Sequence, residues 1–184
     1  TRPCRLRLCR QICMNIDQLH LRSLVTTDID FLFAIENDRS LWHLSNTVIP
    51  YSRAVLEKYI ANAHQDIFSV KQQRFVLTNT AQTPLGLVDL YDFDAIHKRA
   101  GVGIVVQAKN RGKGWAKKAL NLVEEIAFNQ LKLHQLYAGV GEDNVASLAL
   151  FEALGYERTA VKKEWNFYHN RYHDEVVFQK IKHV

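Results

Sequence analysis

The segment NRGKGWAKKAL, from Asn110 to Leu120, lies between two patterns that together decide the fold. Before it, RAGVGIVV (Arg99–Val106) predicts a strand whose continuous apolar end is typical of the centre of a sheet. After it, apolar residues recur at helical spacing from Gly114 to Leu131, which predicts an amphipathic helix. A buried strand, a glycine-bearing turn and a helix in this order indicate an α/β protein.

The segments before this unit predict further strands and helices. QLHLRSL (Gln18–Leu24) alternates like a strand, and Thr26 or Thr27 can cap the helix that follows it. Ser52 can cap a second helix that runs through about Ala63. RFVLTN and PLGLVDLYDF, which flank the turn AQTP, then predict a hairpin.

The segments after the unit complete the sheet. HQLYAGV (His134–Val140) predicts a strand, and Asn144 can cap a short helix that stops at Gly155. The remaining residues predict two strands joined at the turn HNR (His169–Arg171). The predicted order is β-αα-βββ-α-β-α-ββ, a single-domain mixed and mostly antiparallel sheet flanked by helices. The two terminal strands offer an edge on which a homodimer could form.

Composition and charge exclude several classes of protein. The chain has 184 residues, enough for one domain with a real core, and its apolar runs are too short to span a bilayer. Four arginines and no acidic residue lie among residues 1–13, so the other residues have 20 basic and 19 acidic side chains. A nucleic-acid-binding protein needs a basic face on its folded body, and this body is nearly balanced.

The first thirteen residues differ from the rest of the chain. They contain all three cysteines, Cys4, Cys9 and Cys13, and they precede the only methionine, Met14. These cysteine spacings match no common zinc pattern, and the histidines share no ligand spacing, so we expect no metal. We expect residues 1–13 to be a disordered leader and residues 14–184 to form the domain. A body without cysteine needs no oxidising compartment, which favours a cytoplasmic protein.

The glycine-bearing turn has the features of an anion-binding loop. Gly112 and Gly114 let the backbone fold close to a ligand, and the first N–H groups of the following helix would point at an anion. Arg111, Lys113 and Lys117 add positive charge. A solvated basic helix start is the alternative. The phosphate loop GxxxxGK[ST] does not occur, and the dinucleotide fingerprint GxGxxG fails because Lys117 occupies the place of its third glycine.

A different nucleotide-binding pattern does fit. The residues from Arg111 to Ala116 read R-x-x-G-x-A, which resembles the acetyl-CoA pyrophosphate loop of the GNAT superfamily of N-acetyltransferases, written [QR]-x-x-G-x-[GA]. The string N-x-x-S-x-x-L-F-x-x-L-G-Y, from Asn144 to Tyr156, is similar to the second cofactor segment of that family. RFV, GLV, HKRA and YHNRYHDEVVF resemble the branch that contains spermidine acetyltransferases and ribosomal-protein N-terminal acetyltransferases.

The resemblance implies a fold and a binding mode for acetyl-CoA as co-substrate. Acetyl-CoA would lie in a V between two splayed parallel strands, Arg99–Val106 and His134–Val140. Asn144 would hydrogen-bond the pantetheine arm, and Ser147 would donate to the sulfur as it leaves. A plain helix cap and an ordinary helix hydroxyl are the alternatives for these two residues. The other implied contacts are the backbone groups of Ile104, Val105 and Val106 with pantetheine, and those of Arg111, Gly112, Lys113, Gly114, Trp115 and Ala116 with the pyrophosphate.

The resemblance also implies a reaction. A primary amine, either a small cationic amine or a protein N-terminus, would attack the thioester directly in a ternary complex, without a covalent enzyme intermediate. The amine must lose a proton, and the thiolate must gain one.

The chain departs from the family pattern at two positions. Phe151 stands where many relatives have a tyrosine that protonates the thiolate, and Gly101 stands where many have a glutamate on the central strand. Asp89, Glu36 and Glu164 are candidate substitutes for the base, and Asp89 is preferred because it precedes the central strand. These departures leave open a non-catalytic acyl-CoA-binding sensor as the alternative function.

The acceptor is less well defined by the sequence. Asp89, Asp92 and Asp94 could form an acidic rim that attracts a polyamine or another cationic amine. However, the acidic pair that precedes the second helix in spermidine enzymes is absent, since this chain reads Val48-Ile49-Pro50-Tyr51 there.

Overall fold

The computed structural model describes residues 19–45 and 47–182. The predicted leader, with its three cysteines, lies outside the described residues, so its separation from the domain stays a prediction. Within the described ranges, no helix is long and apolar enough to cross a membrane.

Seven strands form one sheet in the order β1-β2-β3-β4-β5-β7-β6. All neighbouring strands are antiparallel except β4 and β5, which are parallel. This architecture confirms the predicted mixed, mostly antiparallel sheet with a parallel pair at its centre. The strands are β1 (Leu19–Ser23), β2 (Gln73–Asn79), β3 (Pro84–Asp94), β4 (Arg99–Val106), β5 (Gln135–Gly141), β6 (Glu157–Tyr168) and β7 (Arg171–Ile181).

Helices cover both faces of the sheet, and each face has its own apolar core. Alternation along β3 sends Val88 and Leu90 to the core under α5, while Leu87 packs under α1 and α3. The face that carries α1 and α3 is called the α1/α3 face below. The helices are α1 (Ile29–Glu36), α2 (Trp42–Ser45), α3 (Arg53–Ala61), α4 (Ile67–Val70), α5 (Trp115–Glu125) and α6 (Val145–Ala153).

Two predicted helix caps are confirmed. The Ser52 side chain accepts a hydrogen bond from the Val55 N–H at 3.3 Å, and α3 begins at the next residue. The Asn144 side chain likewise accepts from the Ser147 N–H at 3.1 Å. At the other end of α6, Gly155 has a φ of +78°, the left-handed conformation that ends many helices.

The first helix begins differently from the prediction. Neither Thr26 nor Thr27 caps it, because these residues form a 3₁₀ turn with Asp28. The buried Asp28 carboxylate accepts from the Val25 N–H at 2.9 Å and pairs with Arg22 at 2.6 Å. A buried carboxylate needs such partners, and this requirement fixes the start of α1.

The helix after the glycine loop also differs in detail. It is a regular α-helix only as far as Glu125, and one π-helical turn, Ile126–Gln130, completes the predicted stripe. The short helices α2 and α4 were not predicted, since four residues are too few to show a helical period.

Candidate active site

A gap opens between β4 and β5 at the centre of the sheet. The two strands pair only at Arg99–Gln135, Ala100–Leu136 and Gly101–Tyr137. Beyond Gly101, β4 stays paired with β3, while β5 stays paired with β7 as far as Gly141. The backbone edge of residues 102–106 therefore faces the gap without a strand beside it. This is the splayed pair that the resemblance implied, with room for an extended ligand between the strands.

The residues predicted to contact pantetheine lie along this edge. Ile104, Val105 and Val106 are registered with β3 on one side, opposite Val88, Leu87 and Gly86. A strand has a second edge, and here no β5 residue pairs with it. These three residues therefore fit an extended polar ligand, and their contact with pantetheine stays a prediction.

The glycine loop connects the end of β4 to α5. Gly112 and Gly114 have φ values of +73° and +74°, so the loop needs a residue that tolerates the left-handed conformation at both places. A Cβ atom added at either glycine would meet nothing within 4 Å, which shows that the loop encloses open space. No side chain caps α5, which begins at Trp115 directly after Gly114. Its first-turn N–H groups are thus available to an anion.

The loop and the first turn of α5 also carry cationic side chains. Arg111 and Lys113 are exposed, and the Arg111 Nε donates to the Val106 carbonyl at 3.0 Å, which holds the guanidinium against the end of β4. The Lys118 ammonium lies 5.7 Å from the centroid of the Trp115 ring. Open space, unused helix N–H groups and positive charge at one point fit a pyrophosphate group. The residues from Arg111 to Ala116 are therefore suited to the cofactor contacts that the resemblance implied.

The second cofactor segment lies at the other side of the gap. The Asn144 N–H donates to the Gly141 carbonyl at 3.0 Å, so the start of α6 is attached to the end of β5. The Asn144 side-chain oxygen is used as the helix cap, which leaves its NH₂ group for a ligand. Ser147 is half-buried in the first turn of α6. Both residues keep their predicted cofactor roles as predictions.

Phe151 belongs to the core. Its side chain is only 3% exposed, and its ring makes an edge contact with Tyr156 and stacks on Phe178, with centroids 5.0 and 5.7 Å away. The position where relatives have an acidic hydroxyl is thus filled by an aromatic cluster.

Tyr91 occupies the space beside Gly101. A Cβ atom at Gly101 would lie 2.2 to 2.6 Å from three atoms of the Tyr91 ring, whereas at Gly103 it would be 3.8 Å away. A side chain at Gly101 therefore cannot coexist with this position of the ring. Burial, together with nearby Tyr137, raises the pKa of Tyr91 to about 12, while a hydrogen bond from the Gly139 backbone opposes the increase. This pair was not predicted from the sequence, although a glycine inside a strand can indicate such a close approach.

The predicted base Asp89 is held in an ion-pair network. The Arg74 guanidinium donates to both of its oxygens, at 2.7 and 2.9 Å, and a third hydrogen bond joins Arg74 to Glu36. Burial lowers the pKa of Arg74, but the carboxylates outweigh it and the pKa is raised, so the guanidinium stays charged. Two of the three candidate carboxylates thus share one cation. The third, Glu164, is exposed on β6.

The predicted acidic rim is divided in the structure. Asp89 faces Arg74, so it is not part of a rim. Asp92 and Asp94 line a pocket of about 550 Å³ on the α1/α3 face, together with Arg99 and Tyr137. Hydrogen bonds from His97 lower the pKa of Asp94 to about 2, and the Tyr137 hydroxyl donates to Asp92 at 3.3 Å. No cluster of three His, Cys, Asp or Glu side chains among residues 19–45 and 47–182 could hold a metal ion.

Comparisons with known proteins agree with this geometry. The model of the acetyltransferase (GNAT) domain family matches residues 18–157. Spermidine N(1)-acetyltransferase of Vibrio cholerae is 29% identical over 160 residues, which are 85% of this chain and 89% of that protein. The Escherichia coli K12 enzyme of the same name is 27% identical over 139 residues, 74% of this chain and 71% of that one. A putative ribosomal N-acetyltransferase of Bacillus subtilis is 23% identical over 97 residues, 53% of each chain.

Solved structures are similar over nearly the whole described chain. The Vibrio cholerae spermidine N-acetyltransferase in complex with CoA and spermine has a TM-score of 0.83 at 26% identity, covering 90% of this chain and 96% of that one. A dodecameric structure of spermidine N-acetyltransferase from Vibrio cholerae is 30% identical with a TM-score of 0.76, covering 90% and 95%.

The splayed strands, the glycine loop and these matches define an acetyl-CoA-dependent N-acetyltransferase. The chain belongs to the GNAT acetyltransferase family. The predicted transfer of an acetyl group from acetyl-CoA to an amine is therefore confirmed, and the sensor alternative is not supported.

Proposed function

We propose that the acceptor is a polyamine of the spermidine type and that acetyl-CoA and the polyamine react in a ternary complex in the cytoplasm. The observation that supports this most directly is the pocket on the α1/α3 face, which Asp92 and Asp94 line together with Arg99. Tyr137, which also lines this pocket, forms the last pair before the gap. A flexible polycation could therefore place one amine at the gap and another beside the two carboxylates.

The relatives support the same class of acceptor. The two spermidine N(1)-acetyltransferases match 85% and 74% of this chain, whereas the putative ribosomal N-acetyltransferase matches 53%. Electrostatic attraction between a polycation and a carboxylate-lined pocket raises the local concentration of the acceptor. A protein N-terminal amine is the alternative acceptor.

The roles proposed for the cofactor residues follow from their positions. The loop from Arg111 to Ala116 holds the pyrophosphate, and the free edge of Ile104–Val106 pairs with pantetheine. Asn144 fixes the pantetheine arm, and the Ser147 hydroxyl donates to the departing sulfur. The role of Asp89 as base stays a prediction, and each of its two oxygens accepts a hydrogen bond from Arg74.

Neutralising the acidic pocket tests the acceptor. The double change Asp92→Asn and Asp94→Asn should raise the KM for spermidine and leave the KM for acetyl-CoA unchanged. Asp30→Asn is a suitable control, because it also removes one carboxylate charge but does so on the exposed surface of α1, where Asp30 pairs with Arg53. An unchanged KM for spermidine would refute the role of this pocket. A clear preference for peptide N-termini in the unmodified enzyme would refute the polyamine itself.

A further inference from the structure

A carboxylate that was given no role from the sequence lies at the beginning of the gap. Glu175 is on β7, registered with Gly141 of β5, and its side chain leans along the strand toward Gly139. A Cβ atom at Gly139 would lie 2.8 Å from the Glu175 carboxyl carbon and 2.8 and 3.1 Å from its two oxygens. The absence of a side chain at Gly139 is thus what lets the carboxylate lie against the β5 backbone.

The contact between Glu175 and Gly139 lies where β4 and β5 separate. Gly139 is two residues beyond Tyr137, the last residue of β5 that pairs with β4. Its backbone also hydrogen-bonds Tyr91, whose ring fills the space beside Gly101. Tyr91 and Glu175 therefore flank the same residue, from β3 and from β7, at the point where the two central strands separate.

Glu175 and Asp89 differ in the hydrogen bonds that they accept. Both oxygens of Asp89 are held by one rigid guanidinium. In Glu175 one oxygen accepts from the Lys162 ammonium at 2.9 Å, and the other accepts only from the neutral Asn166 amide at 3.3 Å. The Lys162 side chain is 42% exposed, so water screens its charge. Lys162 from β6 pairs with Glu175, and Tyr91 from β3 interacts with it electrostatically. Asp143 and Tyr168 lie beside Gly141, the residue of β5 that is registered with Glu175.

We propose that Glu175 is the carboxylate that takes the first proton from the acceptor ammonium. Its 16% exposed side chain is accessible enough to return that proton to solvent. The neutral nitrogen then attacks the thioester carbonyl, forming the N–C bond. The C–S bond breaks with its electron pair on sulfur, nitrogen loses a second proton, and the thiolate gains one. One proton per turnover is thus released to solvent.

This assignment rests on the proposed function only in requiring an amine acceptor. The dependence of kcat/KM on pH tests it. Glu175→Gln should lower kcat/KM by about 10²-fold at neutral pH, at the lower end of the range for general acid–base catalysis. The deficit should shrink about tenfold per pH unit toward the pKa of the amine, near 10.4 for a lysine-like group, because solvent then removes the proton. Affinity for CoA should not change.

Two further variants are the controls. Asp174→Asn removes the neighbouring carboxylate on β7, which pairs with Lys163 at 2.6 Å and points to the other face of the sheet. This variant should leave the pH profile of kcat/KM unchanged. Asp89→Asn tests the competing base. A loss in Glu175→Gln that is constant with pH, or no larger than in Asp174→Asn, would overturn the assignment. A pH-dependent loss in Asp89→Asn alone would also overturn it.

The same experiment separates this assignment from the proposed acceptor. Turnover of polyamines by the unmodified enzyme with an unimpaired Glu175→Gln variant would refute Glu175 alone. Turnover of peptides but not polyamines would refute the polyamine, and the pH profile with a peptide would still test Glu175. No turnover with any amine would overturn both proposals.

Discussion

The close packing of Tyr91 against Gly101 makes a quantitative prediction about stability. Gly101→Ala places a methyl group 2.2, 2.3 and 2.6 Å from the Cε2, Cζ and Cδ2 atoms of the Tyr91 ring. Since carbon atoms in contact prefer separations of about 3.5 to 4.0 Å, the ring must move by more than about 1 Å. The ring is half-buried and its hydroxyl interacts with Gly139, so the movement also disturbs the beginning of the gap.

The expected cost follows from this geometry. Overpacking a buried site typically costs about 1–3 kcal/mol, and the loss of unfolded-chain entropy returns about 0.4–1 kcal/mol when glycine becomes alanine. Gly103→Ala gains the same entropic term but meets Tyr91 only at 3.8 Å, an ordinary contact. The difference between the two variants should therefore isolate the steric cost, about 1–3 kcal/mol. For a domain of this size that corresponds to about 2–12 °C in Tm.

Denaturation in urea or by heat measures the difference. Gly101→Ala should be clearly less stable than Gly103→Ala, and adding Tyr91→Ala should abolish most of the difference between them. Such a double-mutant cycle reports the coupling between positions 91 and 101 directly. Equal stability of the two alanine variants, or no relief from Tyr91→Ala, would refute the interpretation that the Tyr91 ring fills the space beside Gly101.

Two further predictions concern the loop and the tyrosine. Gly114→Asp should lower CoA affinity far more than Gly114→Asn, since both residues strain the +74° φ but only aspartate repels a phosphate. Isothermal titration calorimetry with CoA measures the two affinities. Equal losses of affinity would show that charge is unimportant at this position. Tyr91 should ionise near pH 12. The absorbance of the unmodified chain minus that of Tyr91→Phe, followed as the pH is raised, reports this ionisation. Because this folded pKa exceeds the unfolded value of 10, the associated stability is complete below pH 10 and is lost as the pH rises through about 12. A difference spectrum that titrates near pH 10 would contradict the burial of the phenol.

The sequence predicts those parts of the molecule that depend on local patterns. The strand Arg99–Val106 has the predicted bounds, and the glycine loop follows it as expected. Asn144 and Ser52 form the predicted caps, because a cap is an interaction over three residues. The family resemblance added what no local pattern contains, the separation of β4 from β5.

The parts that the sequence could not predict depend on contacts between distant residues. Arg74 meets Glu36 and Asp89 only after the sheet has formed, and this network changes how Asp89 is interpreted as a base. Glu175 lies in the segment YHNRYHDEVVF, but that resemblance gave it no role, since its approach to Gly139 depends on the register of β7 with β5. Side-chain identity and spacing along the sequence do not specify which of these residues come into contact.

The two departures from the family pattern have one consequence for proton transfer. With Gly101 and Phe151 in place, neither usual position can exchange a proton, and the space beside Gly101 is filled by Tyr91. In the proposed arrangement, with the thioester in the gap and an amine in the pocket, catalysis by proximity remains. A base supplied from β7 is consistent with such a site.

The most direct test of the whole account is thiol release from acetyl-CoA with a panel of acceptors. The panel should contain spermidine, spermine, an aminoglycoside, single amino acids and peptides with free N-termini. The account predicts turnover that depends on acetyl-CoA and is highest with the polyamines. Tight binding of CoA without turnover on any of these amines would contradict it.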